Sequence, residues 1–195
     1  MHDQLKEELS KYAQLTDEEW EFVKARFFYQ EVKKGSFFLQ EGQTCRKMGF
    51  VVIGLLRTYS TNEQGDELTT HFAHTHSYAV SFYSLKNQMP SFENIKAVED
   101  TQLLIIDYSD LQDLFSSFPK WEAIHRKIIE NAYACLEERN YILQTMSASK
   151  KYELLIQKAH PDIIQKAQLG HIASYLGIKQ ETLSRIRKSL AQPIF

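Results

Sequence analysis

The stretch QLGHIASYLGIKQETLSRIRKSL, residues 168–190, has the spacing of two short helices joined by a tight turn. Ala173 is small at the point where two helices would cross closely, and Gly177 can adopt the left-handed conformation that ends a helix. Ile178 follows as the apolar residue that fills the turn. Apolar residues then recur at helical spacing and are expected to face a core: Leu183, Ile186 and Leu190. The pattern predicts a helix-turn-helix.

The other face of the predicted second helix is polar. It carries hydrogen-bond donors and acceptors at Gln180, Glu181, Ser184, Arg185 and Lys188. A helix that enters the major groove of DNA needs such groups to contact base edges. The face therefore indicates binding to double-stranded DNA. The residues alone also allow an ordinary helical hairpin with a charged outer face.

Charge is distributed unevenly along the chain. Residues 148–195 contain eight basic and three acidic side chains, a net charge of +5, whereas the preceding 147 residues contain 15 basic and 22 acidic side chains, a net charge of −7. Opposite signs favour two modules with different partners, and a small basic module suits a polyanion such as nucleic acid. A solvated surface without a special function is the alternative.

Composition and the cysteine pattern exclude several classes of protein. The 195 residues are 43% hydrophobic and include two cysteines, Cys45 and Cys135, which lie far apart in sequence. Without a C-x-x-C or similar spacing, we expect no zinc ribbon, no cysteine-held iron–sulfur cluster and no other resident cofactor. No apolar run approaches the roughly 20 residues that cross a bilayer, and the N-terminal residues lack the apolar segment of a secretory signal. We therefore expect a cytoplasmic protein without a membrane partner.

Helical and β-type patterns alternate in the first half of the chain. Residues 1–30 read as helical, with Thr16 and Glu19 at the spacing of a capping box. Short β-rich runs follow between residues 32 and 108, and they are separated by turn signals. These runs cover residues 36–40, 49–53, 55–61, 68–73, 93–98 and 101–107. Such short, closely spaced strands predict an antiparallel sandwich or barrel, and the whole chain is therefore expected to be α+β.

A long helical pattern runs from Pro119 to about Met146. Its 28 residues extend roughly 42 Å at 1.5 Å per residue, which exceeds what a domain of this size needs for its own packing. Apolar residues form a stripe along it, at Ile128, Ala132, Leu136 and Leu143. The stripe is a candidate seam between two copies of the chain; the alternative is that it packs along the β-rich domain. Arg139 lies on the same stripe and needs a partner there.

Two stretches of the sequence resemble the Crp/Fnr family of bacterial transcription regulators. HIASYLGIKQETLSRIRK, residues 171–188, resembles the recognition motif of that family. EVKKGSFFLQEGQTCRKMGFVVIGLLRTYSTNEQGDELTTHFA, residues 31–73, resembles its cyclic-nucleotide-binding-type β-roll. The resemblance covers roughly residues 15–188 and is greatest for the regulators of Bacteroidetes-type bacteria.

The resemblance implies three parts of the chain. Residues 1–118 would form a jelly-roll-like antiparallel sensor β-roll with flanking helices, residues 119–146 a dimerisation helix, and residues 147–195 a C-terminal winged helix-turn-helix domain. It also implies a homodimer that binds a palindromic DNA site and regulates transcription. RNA polymerase and an unidentified small-molecule effector are further candidate partners. Because the sequence ends at Phe195, we expect the wing to be minimal or absent.

The family's recognition helices read base edges with a glutamate and, four positions later, an arginine, which match Glu181 and Arg185 here. Glutamate accepts a hydrogen bond from a cytosine amino group, and arginine donates two to guanine. Ser184 matches the serine that precedes this arginine, and the resemblance implies phosphate contacts for Thr182 and Lys188. Lys179 stands where many members have a serine or threonine N-cap, which is expected to cost the helix about 1 kcal/mol.

Family members that bind cyclic nucleotides anchor the ligand with a Gly-Glu pair and with an arginine about ten residues later. Val80 and Ser81 occupy the Gly-Glu positions here, and Ser91 occupies the arginine position. Because burial of a phosphate without a cation is costly, we expect cAMP and cGMP not to bind with micromolar affinity. Three aromatic residues either line a pocket for a less anionic effector or, as we favour, belong to the β-roll core: Phe82, Tyr83 and Phe92. A regulator without a working sensor, controlled by its abundance, fits the same residues.

Three histidines suggest a different class of function. His74 and His76 would share one face of a strand, which is usable metal-ligand spacing, and His71 lies nearby. A β-roll with this H-x-H pattern is similar to cupins, so a small-molecule- or metal-binding β-roll with a vestigial helical tail is the alternative function. The cupin pattern also requires a glycine where Leu68 stands and a close glutamate, whereas the next one is Glu93. Without a Ser/His/Asp set or a Gly-rich phosphate loop, we expect no enzyme.

Overall fold

Residues 28–107 form two four-stranded antiparallel sheets in the computed structural model, which describes residues 1–191. One sheet has the strand order β1-β8-β3-β6, and the other has the order β2-β7-β4-β5. The strands are β1 (Phe28–Val32), β2 (Phe37–Leu39), β3 (Lys47–Ile53), β4 (Leu55–Thr61), β5 (Glu67–His74), β6 (Tyr78–Ala79), β7 (Asn94–Ala97) and β8 (Thr101–Asp107). The predicted antiparallel β-roll and the α+β class are confirmed. The end of the predicted C-terminal domain, where a wing would follow, lies outside the described residues.

Side chains from both sheets meet in one hydrophobic core. Phe50 and Leu104 contribute from the first sheet, and Leu56 and Ile95 contribute from the second. Between β3 and β4 the chain reverses at Gly54, whose φ of +126° is a conformation that L side chains rarely adopt. A Cβ at this position would also lie 2.5 Å from the Thr101 hydroxyl oxygen, so this tight corner requires glycine.

Two helices precede the β-roll: α1 (His2–Ser10) and α2 (Asp17–Lys24). The predicted capping box is confirmed, because the Thr16 hydroxyl accepts the Glu19 N–H at 3.2 Å and the Glu19 carboxylate accepts the Thr16 N–H at 2.8 Å. The predicted helical region is too long, since β1 begins at Phe28. This strand pairs with β8, a non-local contact that the local pattern does not reveal.

Seven helices of the described chain lie within or after the roll: α3 (Phe82–Asn87), α4 (Tyr108–Ser117), α5 (Pro119–Thr145), α6 (Ala148–Lys158), α7 (Pro161–Lys166), α8 (Leu169–Tyr175) and α9 (Gln180–Ala191). The long helix α5 has the predicted extent, with Pro119 in its first turn, where no intrahelical N–H bond is lost. Its first turns bury Trp121 and Ile124 in the β-roll core. Within residues 1–191, none of the helices combines the length and hydropathy needed to cross a membrane.

The C-terminal helices α7 and α8 pack on the outer face of the β2-β7-β4-β5 sheet. Leu55 and Phe72 form a small apolar cluster there with Ile163 of α7. Because side chains alternate along a strand, the neighbouring residues of Leu55 and Phe72 point to the main core instead. Lys166 of α7 adds an ion pair with Glu99 at 2.7 Å. The sheet thereby positions the predicted helix-turn-helix relative to the rest of the chain.

Candidate nucleic-acid interface and sensor region

Helices α8 and α9 form the predicted helix-turn-helix around a small core of their own. Ile172, Ala173 and Leu183 are buried in this core, together with apolar residues of α6. Gly177 has a φ of +63°, and the following N–H of Ile178 bonds back to the Ala173 carbonyl at 3.0 Å. This backbone geometry ends α8 and turns the chain into α9. Leu190 differs from the prediction, because it is exposed rather than directed into the core.

The polar residues predicted on the second helix lie together on α9 and reach the surface. We call this set the reading face, and it comprises Gln180, Glu181, Thr182, Ser184, Arg185 and Lys188. Thr182 and Ser184 are half-buried and the other four are exposed. Gln180 also packs on the start of α8, because a Cβ on Gly170 would lie only 2.7 Å from its side-chain oxygen. At the helix start, the Lys179 carbonyl accepts the Leu183 N–H at 3.1 Å.

After its first three turns the long helix α5 exposes an apolar face, and only on its other side does it still contact the β-roll, through Arg139. Tyr133 is 67% exposed and Leu136 is 58% exposed. With Ile129, Asn140 and Leu143 they follow alternating steps of four and three residues, the spacing of a two-helix seam. We call these five residues the seam. Ile129 and Tyr133 are not part of the stripe that the sequence predicted.

The predicted stripe on α5 is rotated relative to this seam. Ile128, which the predicted stripe includes, is half-buried and packs against the β-roll core of its own chain. Ala132 is exposed, and Leu143 is half-buried near Gly177 at the start of the turn between α8 and α9. Some residues of the stripe therefore pack within the chain, whereas Ala132 and Leu136 are exposed to solvent. Local periodicity alone does not separate these two roles.

A groove of about 650 Å³ lies beside the seam, between α3, α4 and α5. Leu111 and Phe115 of α4 form part of its apolar lining, and Ile129 and Tyr133 belong to both the groove and the seam. Phe82 of α3 lines its other side. The exposed apolar surface of α5 therefore continues onto the helix that follows β6.

The positions that correspond to the family's glutamate and arginine anchors are close together in the structure. Ser81 and Ser91 are buried, and their hydroxyl oxygens lie 3.0 Å apart. The Ser91 hydroxyl also accepts the Glu93 N–H at 3.1 Å. Val80 is half-buried and packs against the β-roll core. A pair of neutral hydroxyl groups occupied with each other and with the backbone offers no positive charge to a phosphate.

The aromatic residues of the same stretch lie on the surface. Phe82, Tyr83 and Phe92 are 43%, 49% and 54% exposed, so their assignment to the β-roll core was wrong. They do not enclose a common pocket: Tyr83 and Phe92 pack on each other with ring centroids 5.2 Å apart, whereas Phe82 faces the groove. The cause is that α3 begins at Phe82, so that its first residues point outward while Leu85, later in the helix, is buried.

The three histidines do not form a metal site. β5 ends at His74, and the chain turns at His76, whose φ is +65°, so the two side chains do not share a strand face. His74 instead stacks on His160 of the C-terminal domain with ring centroids 4.4 Å apart, while His71 is exposed. Among residues 1–191 no group of three or more His, Cys, Asp or Glu side chains is arranged to hold a metal ion. The premise of the cupin-like alternative is therefore wrong.

Comparisons with known proteins agree with this architecture. The family model of the cyclic nucleotide-binding domain matches residues 29–118. The chain is 26% identical over 166 residues to the fumarate and nitrate reduction regulatory protein of Vibrio cholerae, a match that covers 80% of this chain and 65% of that protein. The chain thus spans just under two thirds of that relative's length.

Solved structures share the fold at low sequence identity. FixK2 from Bradyrhizobium japonicum has a TM-score of 0.70 and 18% identity, and the match covers 84% of each chain. A transcriptional regulator described as a member of the Crp/Fnr family, from Eubacterium rectale, has a TM-score of 0.68 and 18% identity, and the match covers 90% of this chain and 83% of that one.

The fold and these matches define a class of proteins in which a cyclic nucleotide-binding β-roll is joined by a long helix to a helix-turn-helix. Residues 29–118 carry the cyclic nucleotide-binding domain, and the chain is similar to Crp/Fnr-type regulators over a longer stretch, as its sequence motifs predicted. Relatives in the comparisons are named as regulatory proteins, and one of the solved structures as a transcriptional regulator.

Stability is expected to fall on acidification because of His74 at the domain contact. Burial lowers the pKa of His74 below its ordinary value of 6.5. The folded protein therefore favours neutral His74, so this contribution to stability is present above pH 6.5 and is lost as the pH falls below it. The carboxyl group of Asp162, beside His74, has a pKa lowered by its hydrogen bonds with Lys166 and Thr75. Its protonation therefore affects stability only below about pH 4.

We expect His74→Gln to reduce the loss of stability between pH 7 and pH 5 by about 1 kcal/mol or less, because His74 is only half-buried. Denaturant unfolding of both proteins at the two pH values measures this difference. An equal loss of stability in the variant and in the wild type would contradict the assignment.

Proposed function

We propose that this chain is a sequence-specific DNA-binding regulator of transcription that acts as a homodimer on a palindromic site. The observation that carries the proposal is the reading face, which is exposed on a helix whose opposite side is fixed in a buried core. The net charge of +5 on residues 148–195 supports it, because positive charge attracts the DNA backbone. Relatives that are named as regulators support it further.

Each residue of the reading face has a chemical role in this proposal. Glu181 and Arg185 lie one helical turn apart, so that both can reach neighbouring base pairs in the major groove. Glu181 would accept a hydrogen bond from cytosine, and Arg185 would donate two to guanine. Gln180 and Ser184 would contact adjacent base edges. Thr182 and Lys188 would bind phosphates, which fix the position of the helix without selecting a sequence.

The seam on α5 supports the proposed homodimer. A second copy of α5, running parallel, would cover Tyr133 and Leu136 and would also close the groove that Phe82 lines. Two copies related by a two-fold axis would present their recognition helices to half-sites about one helical turn, ~34 Å, apart. The DNA site should therefore be a palindrome.

The neutral Ser81–Ser91 pair supports a sensor that does not use cyclic nucleotides. An effector, where one acts, would be less anionic than cAMP, and a regulator controlled by its abundance fits the same geometry. A regulator of this kind acts in the cytoplasm, where bacterial DNA lies, and RNA polymerase is its candidate protein partner. We infer no catalytic activity for the chain.

Arg185→Ala is expected to weaken binding to a selected palindromic site by about 1–3 kcal/mol and to relax the preference at one base position of each half-site. Arg187→Ala is the control, because it removes the same charge from an exposed position about 200° around the helix from Arg185. It should weaken binding less and leave the sequence preference unchanged. Fluorescence anisotropy with the selected duplex and single-base variants measures both effects. Equal preferences in the two variants would show that Arg185 does not read bases.

Tyr133→Glu is expected to raise the dimer dissociation constant by at least about tenfold, because a carboxylate would be buried in the seam without a partner. Tyr29→Glu is the control, since Tyr29 is also exposed, at 52%, but lies on β1. Sedimentation equilibrium of the two variants and the wild type gives the dissociation constants. A dimer that tolerates Tyr133→Glu as well as Tyr29→Glu would place the interface elsewhere.

Calorimetric titration with cAMP and with cGMP is expected to show no binding with a dissociation constant below about 100 μM, because the phosphate position lacks a cation. Ser91→Arg, which restores the charge at the family's arginine position, should raise the affinity for both nucleotides. Micromolar binding by the wild type would contradict the proposed sensor.

A further inference from the structure

Arg139 of α5 joins three elements of the structure. Its guanidinium donates one hydrogen bond to the Thr69 carbonyl of β5 at 3.2 Å and another to the Tyr175 carbonyl at the end of α8 at 3.1 Å. It also stacks over the Tyr175 ring, 4.6 Å from its centroid. The long helix, the β-roll and the helix-turn-helix thus meet at a single side chain. This contact explains a charged residue on an otherwise apolar stripe.

Ser174 fixes the same place from the side of α8. Its hydroxyl accepts the Thr69 N–H at 2.9 Å and lies 3.0 Å from the Glu67 carbonyl, to which it donates. β5 is the edge strand of its sheet, so these backbone groups have no neighbouring strand to pair with. Directional hydrogen bonds to a fixed backbone restrict rotation of α8 more than apolar contacts do.

The reading face lies outside this contact. α7 and α8 carry the residues that touch the β-roll, whereas Glu181, Arg185 and Lys188 of α9 are exposed. The C-terminal domain therefore contacts the β-roll through α7 and α8, and α9 on its other side remains accessible to DNA. Only Met146 and Ser147 connect α5 to α6, so without the contact the domain could turn about these two residues.

We propose that Arg139 is a positioning residue that sets the orientation of the helix-turn-helix relative to the seam, and with it the separation of the two recognition helices in a dimer. The inference rests on the proposed function, since it concerns how two copies bind one palindrome. A fixed separation makes binding of the second half-site an intramolecular event with a high effective concentration. An arginine suits the role because one terminal nitrogen, Nη2, donates to both carbonyls while the planar, permanently charged guanidinium stacks on the Tyr175 ring.

The test compares Arg139→Gln with the wild type on three DNA substrates at about 0.15 M salt: the selected palindrome, a single half-site, and palindromes whose spacing is changed by one or two base pairs. Arg139→Gln should lower the affinity for the palindrome about tenfold and flatten the preference for one spacing. The half-site affinity and the dimer dissociation constant should stay unchanged. Arg139→Lys, which keeps the charge but loses the planar group that stacks on Tyr175, should lie between.

Lys158→Gln is the matched control, because Lys158 also links the C-terminal domain to α5, through an exposed ion pair with Glu138. Exposed pairs contribute little, so this variant should behave like the wild type on all three substrates. Ser174→Ala provides a milder second variant in case Arg139→Gln does not fold, and it should shift the palindrome affinity and the spacing preference in the same direction.

Each remaining result overturns the inference in a recognisable way. If Arg139→Gln binds the palindrome with wild-type affinity and wild-type spacing preference, the contact does not position the domain. If Arg139→Gln does not fold, the same result for Ser174→Ala has the same meaning. Tighter palindrome binding would show that the contact holds an inactive orientation. If wild-type protein selects no palindrome, the proposed function fails first, and the inference fails with it.

Discussion

The free edge of β5 is the constraint on which the arrangement of the molecule depends. Its backbone groups at Glu67 and Thr69 need hydrogen-bond partners, and Ser174 and Arg139 supply them from α8 and α5. The same contacts attach the C-terminal domain to the sheet, beside the apolar cluster around Ile163. The unpaired edge of β5, which could otherwise pair with another chain, thus forms the contact between the β-roll and the helix-turn-helix.

The β-roll keeps the family fold but presents different chemistry at its ligand positions. Ser81 and Ser91 bond each other where charged anchors would be needed, so a phosphate would find no counter-charge. The aromatic surface of α3 instead continues into the groove beside α5. In a dimer the second copy would cover this surface. The stretch that corresponds to the family's ligand positions would then lie next to the seam.

The helix-turn-helix, the long helix and six of the eight strands could be predicted from sequence, because local rules specify them. Gly177 requires a positive φ, and Pro119 is favoured at a helix start. β1, β6, α3 and α7 were missed because non-local contacts define them. The rotation of α5 was missed for the same reason: Ile128 and Ile129 are both apolar, and only the packed β-roll determines which one it buries. His74 and His76 were separated by a turn that their spacing does not reveal.

The central claim is that two copies of this chain read one DNA site through α9. Selection from random duplex DNA by the purified protein, at about 0.15 M salt and without added effector, tests it most directly. The account predicts enrichment of a palindrome whose half-sites lie about one helical turn apart. Weak, salt-sensitive binding without an enriched sequence would contradict it.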